Sequence, residues 1–148
     1  MANGRRVMFG ASVKVVRLRQ LPLFKDLSNR ELDLVARLAD EIEIPAGRRL
    51  TTFGNRGQEF IVIADGTARA SFANGRTARL AAGEFLGEMS LIDGGPQSAT
   101  VEADSPVRLF VFGQREFFGM LYGAPYVAKK IMSQLSLRVR RAEAMASA

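Results

Sequence analysis

Behind Ser28, the apolar residues Leu32, Leu34, Val35 and Leu38 recur at helical spacing, and Glu31 stands three residues after the serine. This pattern predicts a helix over Leu27 to Leu38 opened by a capping box. Glu41 to Ile44 then alternate polar and apolar up to Pro45-Ala46-Gly47, a strand running into a turn, with a second strand near Arg49 to Thr52. Beyond the loop Gly54-Asn55-Arg56-Gly57, the run Glu59 to Ala64 is rich in Ile and Val, and Thr67 to Phe72 follows Asp65-Gly66. An Asp-Gly pair between two such runs signals a hairpin, and Asn74-Gly75 repeats the signal before Arg76 to Leu80.

Glycines at 83, 87, 94 and 95 then interrupt the rhythm around a short helical stretch, Met89 to Ile92, before Pro96. Strands are expected again at Ala99 to Ala103 and Val107 to Phe112, then a short helix over Gln114 to Tyr122. Pro125 fits the first turn of a long helix reaching about Ala144, in which Val127, Ile131, Leu135 and Val139 form an apolar stripe. The order of elements predicts an α+β fold, a small antiparallel barrel or jelly roll with helices at both ends. Its boundaries are a basic N-terminal helical segment over 1–20 and one domain over 21–148, with strands over about 40–113 and helices over about 114–145.

The 148 residues contain no cysteine and no histidine, which excludes disulfides, thiol nucleophiles, Cys/His zinc sites and His-based triads. No pair of titratable groups in the glycine-rich segment has a catalytic spacing, so neither an enzyme nor a cofactor is expected. The net charge of +6 is confined to the ends: residues 1–19 carry +5, residues 127–148 carry +4, and the middle is −3. Basicity so placed reads as solvated terminal helices or as contact with an acidic partner, a membrane surface or nucleic acid, not as one basic binding face. The apolar stretch Val7 to Ala11 is too short for a signal peptide, and no run approaches a membrane span, so a cytoplasmic protein is expected.

The interrupted loop concentrates glycines, a carboxylate and hydroxyls. Gly87 before Glu88 and Met89 would present free backbone N–H groups to phosphate oxygens, and Glu88 would accept from a ribose hydroxyl. A plain turn with a helix-capping acid is the alternative reading of these residues.

The stretch Leu86-Gly87-Glu88-Met89-Ser90-Leu91 through Pro96-Gln97-Ser98-Ala99-Thr100 resembles the phosphate-binding cassette of the cyclic nucleotide-binding domain family, whose pattern is Phe-Gly-Glu followed by Pro-Arg-Ser-Ala-Thr. Pro22-Leu23-Phe24, Leu27-Ser28, Pro45-Ala46-Gly47, Gly54, Gly66 and Arg115-Glu116-Phe117-Phe118 follow the family's order, so the resemblance covers about residues 21–141. It implies a β-roll with C-terminal hinge and lid helices, and a cyclic nucleotide, cAMP or cGMP, as ligand. It further implies that Glu88 takes the ribose hydroxyl while the backbone N–H groups of Met89, Ser90 and Ala99 and the Ser98 hydroxyl cradle the phosphate. Leu91 would move when ligand draws the cassette inward. Arg138 is either a lid contact to the base or an exposed helix arginine, and Met132 and Leu135 are either core or lid.

Two positions depart from the family pattern. Leu86 replaces the usual Phe, apolar for apolar. Gln97 stands where the family's arginine pairs with the cyclic phosphate, and losing one partner of a buried charge pair costs about 2 to 5 kcal/mol. The expected function is therefore a stand-alone cyclic nucleotide sensor that signals to a protein partner through its last helix. The alternative is a non-binding interaction or dimerisation module. Homodimerisation through the last helix and burial of its stripe within a monomer are both open. Direct DNA binding is not expected, because no residues remain for a recognition helix after the lid.

Overall fold

The computed structural model describes residues 4–6 and 11–147, with the side chains of 11 and 12 left out. Val7 to Gly10, most of the apolar stretch weighed against a signal peptide, lie outside the described residues. The segment 1–20, expected to be helical, contains a two-residue strand, β1 (Arg5–Arg6), and a helix, α1 (Ala11–Arg19). β1 adds to the edge of β2 (Asp40–Ile44), with Arg5 opposite Glu43, so basic residues meet an acidic strand. In α1, Arg17 donates to the buried carboxylate of Glu41 at 2.6 Å, which anchors the helix to the sheet.

Helix α2 (Asn29–Leu38) begins as the sequence predicts: Glu31 N donates to Ser28 Oγ and Ser28 N donates to Glu31 Oε1. The strands that follow are β3 (Arg49–Thr51), β4 (Glu59–Asp65), β5 (Ala68–Phe72), β6 (Thr77–Leu80), β7 (Phe85–Leu86), β8 (Ala99–Ala103) and β9 (Val107–Gly113). Among the described residues they form two antiparallel sheets, ordered β1-β2-β9-β4-β7 and β3-β8-β5-β6, that do not close into a barrel. From β2 onward the chain changes sheet at every strand connection except β5 to β6.

That alternation corrects one expectation. Asp65-Gly66 does not form a hairpin, because β4 is already paired with β9 and β7 while β5 pairs with β6 and β8. Gly66 (φ +90°) turns the chain between sheets, hard against the carbonyl of Pro106 where a Cβ would lie 2.4 Å away. The Asn74-Gly75 turn does close a hairpin, with Ala70 opposite Ala78.

The central strands β4 and β9 are buried on both faces. Side chains alternate along a strand, so Phe60, Val62, Phe110 and Phe112 face the helices while Ile61, Ile63, Leu109 and Val111 face the second sheet. The register stacks like on like, Phe60 against Phe112 and Ile61 against Val111. Phe117 of α4 (Gln114–Gly123) covers Phe60 with ring centroids 4.8 Å apart. Helix α5 (Pro125–Ser147) starts at its proline and buries Val127 and Ile131. The expected stripe then leaves the core: Leu135 is half-buried and Val139 is 55% exposed.

Candidate functional site

Strand β7 pairs with β4, placing Leu86 opposite Ile61, and stops before Gly87. Gly87 adopts φ +93°, and a Cβ there would sit 2.2 Å from the Glu59 carbonyl oxygen, so glycine is required twice over. The short helix α3 (Glu88–Asp93) follows and closes at Gly94, whose N–H donates to the Ser90 carbonyl. The returning segment is held by its backbone: Gln97 N donates to Asn55 O at 2.7 Å, and Gly54 N donates to Gln97 O at 3.0 Å. The Gln97 side chain lies over the bare Cα of Gly57, where a Cβ would come 2.2 Å from Nε2.

Glu88 is 2% exposed. Arg138 of α5 reaches across to it, Nη1 donating to Oε1 at 2.9 Å, while its guanidinium lies 5.9 Å from the Phe85 ring centroid. Burial raises the Glu88 pKa above the ordinary carboxylate range; the backbone hydrogen bond at Glu88 and the charge of Arg138 oppose that rise without cancelling it. Ser90 is also buried, and its Oγ has no hydrogen-bond partner. A buried hydroxyl without a partner is costly in a folded protein, and it marks a place where a ligand atom can donate or accept.

Leu86, Gly87, Glu88, Met89, Ser90, Gln97, Ser98, Ala99 and Arg138 all line one cavity of about 660 Å³. Thr51 and Gln97 also line a neighbouring cavity of about 550 Å³, so Gln97 forms part of the wall between the two. Of the other residues singled out in the sequence, Leu91 is buried in the helical core, Leu135 is packed against that core, and Met132 is 62% exposed. The cavity has further walls that the motif did not indicate. Phe72, Arg76, Ala78 and Arg79 come from the β5–β6 hairpin, and Arg141, Ala142 and Met145 come from α5. The α5 residues follow Arg138 at intervals of three, four and seven, the spacing of one helix face, and that spacing was available in the sequence.

A model of the cyclic nucleotide-binding domain matches residues 41–122, more than half of the chain. The chain belongs to the cyclic nucleotide-binding domain family. It is 30% identical over 127 residues to the Cyclic AMP receptor protein of Thermus thermophilus, covering 82% of this chain and 59% of that protein. It is 32% identical over 126 residues to a cyclic nucleotide-gated potassium channel of Mesorhizobium japonicum, covering 85% of this chain and 35% of the channel. The crystal structure of the Thermus thermophilus Catabolite Activator Protein superposes with a TM-score of 0.76 at 29% identity, over 85% of this chain and 62% of that one. The cAMP-bound PfPKA-R structure shares the fold, with a TM-score of 0.77 at 20% identity, over 88% of this chain and 45% of that one. The chain thus spans less than two thirds of each of these proteins. By their names they are a receptor protein, a cyclic nucleotide-gated channel, a catabolite activator and a cAMP-bound PKA-R, none of them an enzyme. Among the described residues no helix is long and apolar enough to cross a membrane.

Proposed function

We propose that this chain is a cyclic nucleotide-binding regulatory domain that takes cAMP or cGMP in the cavity beneath α5. The buried Glu88 carboxylate is the observation that carries the reading, because a nearly unexposed acid beside an unpartnered Ser90 hydroxyl suits a ribose better than it suits a core. In this reading Glu88 accepts from the ribose hydroxyl, and the backbone N–H groups of Met89, Ser90 and Ala99, with the Ser98 hydroxyl, hold the cyclic phosphate. Leu86 and Gly87 shape the floor. Gln97 supplies a neutral amide where a charged fork would bind more tightly. Ligand contact with Arg138 shifts α5, and a protein partner or a second copy of the chain reads the shift. A cytoplasmic setting goes with a diffusible nucleotide ligand.

Calorimetric titration with cAMP and with cGMP, on the native protein and on Gln97→Arg, tests this. Saturable binding by the native protein supports it. Silence from the native protein together with binding by Gln97→Arg favours the second reading, a pocket disarmed at one position and retained as an interaction module, for which Gln97 itself speaks.

A further inference from the structure

The cavity is lined by four arginines, Arg76, Arg79, Arg138 and Arg141, against two carboxylates, Glu84 and Glu88. Glu88 is paired with Arg138, and Glu84 accepts from Ala81 N at 2.7 Å. Among the described residues neither Arg76 nor Arg141 has a carboxylate within ion-pair distance. The surplus is two positive charges, in a cavity whose lining also includes the neutral Gln97.

The register explains why Arg76 belongs to the cavity. Ala68 lies opposite Leu80 and Ala70 opposite Ala78, so those residues share one face of the hairpin. Phe72 and Arg76, joined by the hydrogen bond from Phe72 N to Arg76 O, continue that row at its open end. The small side chains of Ala70 and Ala78 leave space beside the arginine. On α5, Arg141 stands one turn beyond Arg138 on the same helix face and lines the same cavity.

We infer that Arg76 and Arg141 form an anion subsite at the hairpin end of the cavity, and that through it the cavity takes, besides a cyclic nucleotide, a nucleotide carrying a non-cyclic phosphate. The inference rests on the nucleotide reading proposed above for Glu88. A cyclic monophosphate brings one negative charge and leaves surplus cation in the cavity, whereas a linear nucleoside diphosphate brings at least two. Arginine forks match phosphate oxygens bidentately, and the bond is charge-assisted. The unpartnered Ser90 Oγ, itself buried, points independently to a polar ligand in the same cavity.

The test is calorimetry with ADP and with cAMP on the native chain, Arg76→Ala and Arg141→Ala. Both positions are exposed, and circular dichroism checks that the variants fold. The expected result is saturable ADP binding by the native chain, tighter than cAMP, with the preference for ADP reduced about tenfold in each variant, the change produced by loss of one charge-assisted contact. Binding of cAMP without ADP, or an ADP preference unchanged in both variants, overturns the subsite while leaving the cyclic nucleotide reading intact. ADP binding that depends on the two arginines with no cAMP binding supports the subsite and removes the cyclic nucleotide. Absence of binding by either overturns both.

Discussion

Arg138 and Glu88 are fifty positions apart in the chain, yet Nη1 of the first donates to Oε1 of the second at 2.9 Å. This contact ties the exposed half of α5 to the buried acid at the start of α3. Without it that half of the helix has few anchors, since beyond Leu135 its apolar residues Leu137, Val139 and Met145 are exposed. In the proposed function, this pair is what couples a ligand in the cavity to the position of the helix.

Replacing Arg138 by Ala strands the Glu88 carboxylate in its buried site. Breaking a fully buried pair is strongly destabilising, but Arg138 is half exposed to solvent, so the cost expected from urea denaturation is smaller, about 1 to 2 kcal/mol. Amide exchange over residues 138–147 should accelerate in this variant while exchange in β4 and β9 stays unchanged. Equal exchange in both proteins would show that the pair does not hold the helix.

Glu88 also gives the fold a pH dependence. Its folded pKa is raised, chiefly by burial, so between the unfolded and folded values the folded state binds more protons than the unfolded one. Its contribution to stability is then fully present below the ordinary carboxylate pKa and is lost as pH rises through the raised value. Denaturation midpoints measured across that window should fall with rising pH in the native protein, and Glu88→Gln should flatten that part of the profile. The same variant should bind cyclic nucleotide more weakly, because a neutral amide replaces the carboxylate that the proposed function assigns to the ribose hydroxyl.

Gly87→Ala should destabilise the protein by about 2 kcal/mol or more, since it combines a left-handed backbone with a collision against a fixed carbonyl. Gly75→Ala is the control: its φ is +81° but no atom lies near the added carbon, so its cost should be the smaller of the two. Chemical denaturation of the pair separates strain from collision.

Much of this architecture is legible in local patterns. Ser28 and Glu31 announce α2 because a capping box is satisfied within four residues, and the strand over Ala99 to Ala103 is found as read. The cassette is legible as a motif, and its residues converge on one cavity. What the sequence hides is decided by partners far along the chain. Asp65-Gly66 has hairpin chemistry, but the strands on either side of it are claimed by other neighbours. Arg5 and Arg6 form a strand only because β2 offers an edge. Arg138 reads first as a surface arginine until α5 is laid across the cavity, and Arg76 joins that cavity only through the hairpin register.

The central claim is that nucleotide binds at Glu88 and moves α5. The most direct measurement is an amide chemical-shift titration of isotopically labelled protein with cAMP. The account expects saturable shifts at Gly87, Glu88, Ser90, Ser98 and Ala99, accompanied by shifts from Arg138 to the end of α5. Resonances of the cassette that stay fixed at millimolar cAMP would contradict it, as would cassette shifts that leave α5 unmoved.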